Sequence, residues 1–551
     1  MNEISVLVGG KAGDGIRQAG ITIAKLLGRL GYRIFFYDDY PSLIRGGHNF
    51  SIIRASQEKV SAHKDKVDIV IALNQDTVEK HSDALVKNGI ILYDSDKVKA
   101  DGVGIPITSI VKELKGSSIM RNTAAIGAFC KLINIGWTLA EEVIRDVETK
   151  DTDLNVDIAR AAYKIIGDSL INIGRTSLKP LPVLSGNEAI ALGGVSAGLN
   201  LYIAYPMTPA SSILHYLAAH EEELGVVTVH PENEIAVAVM ALGATYAGSR
   251  TMVGTSGGGF ALMTEAISLA SQGEYPVVFV ECQRAGPGTG VPTYTMQADL
   301  HFVLNAGHGD IVRLVVAPGD AEEAYYLTGL AMNMAWEFQI PTFVLSDKHL
   351  SESLFSFDLD NSVRVEAGQR ELWNGEGEYK RYSLSKNGVS PLAFPGNPKA
   401  VVKGTSYEHD EFGITTEIPE EIQKMQDKRL LKKKALLKKL QELETVKVYG
   451  NPNASAALIC WGSTKGSCVE VGREIGLKVI QPLIMEPFPT DSVLDALQNI
   501  KKLVCVETNA TGQLAKLLAC HGIEVDSKIL RYDSRPFTVD GLFGKIKEVI
   551  S

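Results

Sequence analysis

The chain has 551 residues, 45% of them hydrophobic and 22% charged, with a formal net charge of −10. This length exceeds what one core serves and predicts three or four domains, each burying its own interior. The mixed, mildly acidic charge argues against a nucleic-acid partner, no stretch approaches a membrane span, and the N-terminus lacks the basic flank and apolar run of a signal peptide, so a cytoplasmic protein is expected.

Residues 1–178 read as alternating strands and helices. Ile4 to Val8 is strand-like, Gly9-Gly10-Lys11-Ala12-Gly13-Asp14-Gly15 is a turn, and a helix runs through Leu30. Further strands are expected at Arg33 to Tyr37, Val67 to Leu73 and Gly89 to Tyr93, before a helical tail from Thr123 to Gly167. Such alternation predicts a mostly parallel sheet. The glycine turn, with Asp38 and Asp39 closing the next strand, outlines a dinucleotide fingerprint, which leaves a nicotinamide-dependent dehydrogenase as one reading. The match is incomplete, because Gly-x-Gly-x-x-Gly counted from Gly13 requires glycine where Gln18 stands. What remains is a helix N-terminus able to receive an anion, with Arg45-Gly46-Gly47-His48 in a second loop.

Two prolines make 174–182 a linker, and a second α/β domain is expected over 183–355. Within it, Leu199 to Ala204 leads into Tyr205-Pro206-Met207-Thr208-Pro209, and Tyr275 to Val280 leads into Gln283-Arg284-Ala285-Gly286-Pro287. Both loops follow strand-like runs, where an α/β sheet opens its ligand crevice. Arg284 offers a planar fork for a carboxylate, and Thr208, Thr289 and Thr293 offer hydroxyls for a carbonyl, a set suited to a small 2-oxo acid. Glu232-Asn233-Glu234 is expected to start a helix with both carboxylates in its first turn. Thr255-Ser256-Gly257-Gly258-Gly259-Phe260 follows a short strand and opens another helix. Residues 356–445 form an irregular segment and then a charged helix from Pro419, expected to keep its leucines inward and its basic face in water. Strand-like runs at Ala456 to Ile459, Lys478 to Ile480 and Leu503 to Glu507 predict a third α/β domain over 446–551. The six cysteines lack any Cys-x-x-Cys pair, so no zinc or iron-sulfur site is expected in this chain.

Taken together, Tyr205 to Pro209, Glu232 to Ala236, Thr255 to Phe260 and Gln283 to Pro287 resemble the alpha subunit of 2-oxoacid:ferredoxin (acceptor) oxidoreductases, with a gamma-type domain fused at the N-terminus. The resemblance implies three folded parts: a gamma-type α/β domain over 1–178, a thiamine diphosphate pyrimidine-binding-type domain, and a transketolase C-terminal-like domain. It implies oxidative decarboxylation of a 2-oxo acid to its acyl-coenzyme A. Glu234 would face the aminopyrimidine of thiamine diphosphate as the catalytic carboxylate. Arg284, Thr208 and Thr293 would bind substrate, while Tyr205, Pro206, Thr255, Ser256 and Gly257 would shape the cofactor pocket. Gly13, Gly15 and Arg45 are candidate coenzyme A contacts.

Gly13-Asp14-Gly15 is spelled like the start of a diphosphate-binding motif, but Asn49 lies too late to complete it. The resemblance therefore implies a beta subunit carrying the diphosphate motif, its Mg2+ and a 4Fe-4S cluster, a ferredoxin-like acceptor, and a heterodimer or a dimer of heterodimers. A non-catalytic assembly subunit is the other alternative.

Overall fold

A computed structural model describes residues 2–42, 47–360 and 363–550. The chain divides into two compact units. One comprises Met1–Ser185, Glu352–Asp358 and Phe537–Glu548; the other comprises Gly186–Ser351, Leu359–Pro536 and Val549–Ser551.

The first unit is built on an eight-stranded sheet in the order Val103–Ile105, Leu85–Asp94, Val67–Ala72, Glu3–Lys11, His48–Ser56, Arg33–Asp39, Leu354–Ser356, Val183–Ser185. Only the half from Val103–Ile105 to Glu3–Lys11 is parallel. Beyond Glu3–Lys11 every pairing is antiparallel, so this sheet is mixed where strand-helix alternation predicted a mostly parallel one. The reason is local: only residues 40–47 join Arg33–Asp39 to His48–Ser56, a connection too short for the crossover that a parallel pair needs. Val183–Ser185 and Leu354–Ser356, expected at the two ends of the second domain, instead form the edge of this sheet. A domain-by-domain reading in chain order cannot show that exchange, because apolar triplets carry no address for the sheet they join.

Ile16–Arg29 is amphipathic, and its Ile16, Ala19, Ile23, Ala24, Leu26 and Leu27 are buried in the first unit's core. Arg121–Leu132 crosses Thr152–Ile165 at close range, and a Cβ on Gly127 would run into the Ala159 carbonyl.

In the second unit a seven-stranded sheet runs Ile484–Glu486, Leu314–Val316, Thr342–Asp347, Val277–Gln283, Thr251–Thr255, Leu201–Ile203, Val227–Val229. All pairs but the first are parallel, and the central strands Thr251–Thr255, Val277–Gln283 and Thr342–Asp347 are buried throughout, as a sheet covered by helices on both faces requires. A five-stranded sheet follows, in the order Val446–Gly450, Lys478–Pro482, Ala456–Cys460, Lys502–Glu507, Ser527–Leu530.

The charged helix Pro419–Leu440 departs from its expected solvated basic face. Lys428 and Lys432 are buried and both pair with Glu274, Lys428 Nζ reaching Glu274 Oε1 at 2.7 Å, while Arg429 pairs with Glu408. Burial alone would raise the Glu274 pKa, but Lys428, Lys432 and Arg381 outweigh it and hold the carboxyl well below its ordinary value. Leucine spacing could not reveal this, because Glu274 lies some 150 residues away in sequence.

Candidate active site

Three adjacent parallel strands deliver the candidate residues. The register pairs Leu201–Ile203 with Thr251–Thr255 and Thr251–Thr255 with Val277–Gln283, so the loops after them open on one edge of the sheet. Tyr205, Pro206 and Thr208 follow the first strand, Thr255 and Ser256 end the second, and Arg284 immediately follows the third. This is the carboxyl-end crevice of a parallel α/β sheet.

Arg284 is partly buried, and its Nη1 donates to the Thr208 carbonyl at 2.9 Å. The two loops singled out in the sequence are thus joined directly, although 76 residues apart. Burial lowers the Arg284 pKa from its ordinary value. Thr293 is buried, and its Oγ1 has no partner among the described residues.

Asn233, not Glu232, organises the next element. The Asn233 side chain caps helix Glu234–Tyr246 by accepting from Ala236 N at 2.9 Å. Glu232 lies outside the helix and is exposed, so the two carboxylates do not share the first turn as expected. Asn233 won the capping position because its short side chain reaches back to the open amides of the first turn. Glu234 is thereby held as the first helical residue, 4% exposed, with no hydrogen-bond partner for Oε1. Asn233→Ala should cost about 1 kcal/mol of stability and loosen Glu234, read as a lower thermal midpoint of the purified chain.

Thr255 and Gly259 lie against Glu234. A Cβ on Gly259 would come within 2.6 Å of Glu234 Oε1 and would collide with Thr255 Oγ1, so glycine keeps this wall clear. Ser256 caps a helix of only six residues, Gly257–Leu262, and its buried Oγ has no partner among the described residues. Glu234 Oε1, Ser256 Oγ and Thr293 Oγ1 are therefore three buried oxygens without a hydrogen-bond partner among the described residues, which folded proteins seldom tolerate without a ligand. This donor and acceptor set fits a polar heteroaromatic cofactor and a small acid. Tyr205 is 37% exposed with its ring near His230, and Cys282 packs as a buried thiol.

The third sheet clamps the loop that follows Arg284. Gln297 donates to the Trp461 carbonyl at 2.8 Å and accepts from Thr508 N and Oγ1, while Asn509 Nδ2 donates to the Gln297 carbonyl at 3.0 Å. Glu507 in turn accepts from Asn509 Nδ2 and Leu514 N. The 507–514 motif thus holds the loop after Arg284, a link that required the tertiary structure. Sequence reading also passed over Glu281 and Asp299. Glu281 was visible as a lone carboxylate between Val280 and Cys282 in an apolar strand, a placement that always demands an explanation.

In the first unit, Gly13 and Gly15 have φ of 94° and 72°, the left-handed region that favours glycine. Asp14 accepts from Lys11 N and pairs with Arg121, Asp38 accepts from Ser51 Oγ, and Asp39 accepts from Tyr37 OH. The acids of the dinucleotide outline are thus engaged in the fold, which weighs against the dehydrogenase reading. Arg45 lies outside the described residues. Among the described residues no three His, Cys, Asp or Glu side chains converge as a metal site, and no helix is long and apolar enough to cross a membrane.

Comparison with known proteins agrees with this geometry. Residues 193–428 match the family described as pyruvate flavodoxin/ferredoxin oxidoreductase, thiamine diphosphate-binding, and residues 5–165 match pyruvate ferredoxin/flavodoxin oxidoreductase. The alpha subunit of 2-oxoacid:ferredoxin oxidoreductase 2 from Aeropyrum pernix is 32% identical, over 100% of this chain and 98% of its own length. The chain belongs to the 2-oxoacid:ferredoxin oxidoreductase alpha-subunit family. A solved 2-oxoglutarate:ferredoxin oxidoreductase from Magnetococcus marinus, with 2-oxoglutarate, coenzyme A and succinyl-CoA bound, shares the fold at a TM-score of 0.90 and 30% identity, covering all of both chains. The 2-oxoglutarate synthase subunit KorA of Archaeoglobus fulgidus is 31% identical over 61% of this chain and 90% of its own length. The chain is thus an oxidoreductase subunit of three α/β sheets, one mixed and two mostly parallel, with the thiamine diphosphate-type domain in its second unit.

Proposed function

We propose that this subunit binds the 2-oxo acid and the pyrimidine half of thiamine diphosphate in an enzyme that converts a 2-oxo acid and coenzyme A to acyl-coenzyme A and carbon dioxide. Two electrons pass to a ferredoxin-like acceptor. The observation that carries the reading is that Thr208 and Arg284, joined at 2.9 Å, follow two of three adjacent parallel strands, while Glu234 Oε1, partnerless among the described residues, lies with Thr255 of the third against Gly259.

Thiamine diphosphate, when bound, supplies the nucleophile and the electron sink that a 2-oxo acid needs to lose carbon dioxide. Glu234 holds a proton at the aminopyrimidine. Tyr205, Pro206, Thr255, Ser256 and Gly257 shape its pocket. Arg284 pairs with the substrate carboxylate, and Thr208 and Thr293 donate to its oxygens. Because its partner hydrogen bond to the Thr208 carbonyl anchors one edge, the guanidinium meets the substrate in one orientation. Gly13, Gly15 and Arg45 are the proposed coenzyme A contacts.

A beta subunit supplies the diphosphate-anchoring motif with Mg2+ and the 4Fe-4S cluster, in a heterodimer or a dimer of heterodimers. The absence of any spaced cysteine pair in the sequence supports this division of labour, and the six free cysteines accord with a cytoplasmic enzyme. The purified chain is expected to lack an iron-sulfur chromophore and to release thiamine diphosphate readily. Assembled with its beta subunit, it should reduce ferredoxin when given a 2-oxo acid and coenzyme A. Absorption spectroscopy and equilibrium dialysis of the lone chain decide the point, and a stoichiometric cluster on it would overturn the division.

A further inference from the structure

Glu281 is an anomaly beside the site. It is fully buried on strand Val277–Gln283, and neither carboxyl oxygen receives a hydrogen bond from any donor among the described residues. What lies against it is another carboxyl, that of Asp299. A buried ionised carboxylate with no donor is among the costliest groups a protein can hold, and two carboxylates in contact cannot both ionise cheaply. One proton between them turns the repulsion into a strong charge-assisted hydrogen bond.

The surroundings say which partner keeps the proton. Glu281 is enclosed by Thr255 and Leu345 on its neighbouring strands, faces Asp347 as well as Asp299, and has only the partly exposed Arg284 as a cation. Asp347 is satisfied by Thr295 Oγ1 at 3.0 Å and Leu350 N at 3.1 Å. Asp299 sits nearer the crevice: its Oδ2 would lie 2.8 Å from a Cβ on Gly257, the first residue of the cofactor-side helix. Its backbone N donates to Gln283 Oε1 at 2.9 Å. Asp299 thus carries the charge and Glu281 the proton.

We propose that Glu281 is a neutral acid donating its proton to Asp299, and that its neutrality leaves the charge of the nearby Arg284 for the substrate carboxylate. The inference rests on the reading of Arg284 as the substrate arginine. Neither acid touches the reacting atoms, so both are positioning residues. An ionised Glu281 would instead pair with the guanidinium and compete with the anionic substrate. Burial, with the neighbouring Asp299 carboxyl, holds Glu281 well above its ordinary value, and burial pushes Asp299 up to about 6 although the hydrogen bond from Glu281 pulls it partly back.

Two measurements test this. The infrared spectrum of the full chain at neutral pH should contain the C=O stretch of a protonated carboxylic acid, lost in Glu281→Gln, an isostere of the neutral form. A band unchanged by that substitution overturns the proposal. In the assembled oxidoreductase, the KM for the 2-oxo acid should rise roughly three- to tenfold at the alkaline pH where Glu281 loses its proton, with kcat little affected. Glu281→Gln should remove that rise; a rise that survives in this variant, or a flat wild-type profile, also overturns it. Arg284→Ala in the same assay separates the two levels: wild-type KM there discards the arginine reading, whereas the infrared result stands or falls on the carboxyl pair alone.

Discussion

Arg284→Ala lowers kcat/KM for the 2-oxo acid by about a hundredfold or more, equivalent to roughly 3 kcal/mol, in the assembled enzyme. The guanidinium is already half desolvated, and its single protein hydrogen bond among the described residues runs to the Thr208 carbonyl. On the proposed reading its remaining donors are the charged partners for an anionic substrate, in a cleft where water replaces them poorly. The loss appears mainly in KM, because the contact is made in the ground state as well as in the transition state. Arg284→Lys keeps the charge but not the fork, and an ammonium cannot hold the Thr208 carbonyl and a carboxylate in one plane, so it recovers only part of the loss. Steady-state kinetics with the 2-oxo acid as varied substrate check both variants; wild-type values for Arg284→Ala would remove this residue from the site.

Glu234→Gln produces the opposite signature, a fall in kcat of roughly a hundred- to ten-thousandfold with KM for the 2-oxo acid largely retained. Glutamine fills the same space against Gly259 and Thr255 and sits on the same Asn233-capped helix, so the fold of the pocket survives. What it loses is the ability to exchange a proton at a position where the carboxyl Oε1 has no protein partner. An equal fall in thermal stability would point to a structural role instead, so kcat and thermal midpoint are measured on the same preparation.

Much of the site was legible in the sequence because chemistry of this kind gathers in short loops. Pro, Gly, Thr and Arg after apolar runs marked 205–209 and 283–287 as crevice loops, and the family resemblance attached Glu234 to them. The α/β class also followed from local pattern, since strand and helix periodicities differ over a few residues. Tertiary structure decided everything that depends on partners far apart in the chain. Val183–Ser185 and Leu354–Ser356 crossed to the N-terminal sheet, Lys428 and Lys432 turned inward to Glu274, and Asn509 reached the loop after Arg284. Asn233 rather than Glu232 capped the Glu234 helix, a choice set by backbone geometry that composition does not record. Glu281 shows the division most plainly. The sequence determined that a carboxylate stands inside an apolar strand, but only the fold, by burying it without a donor and laying Asp299 against it, decided its charge, because the energy of a buried ionisable group is set by the few groups that surround it.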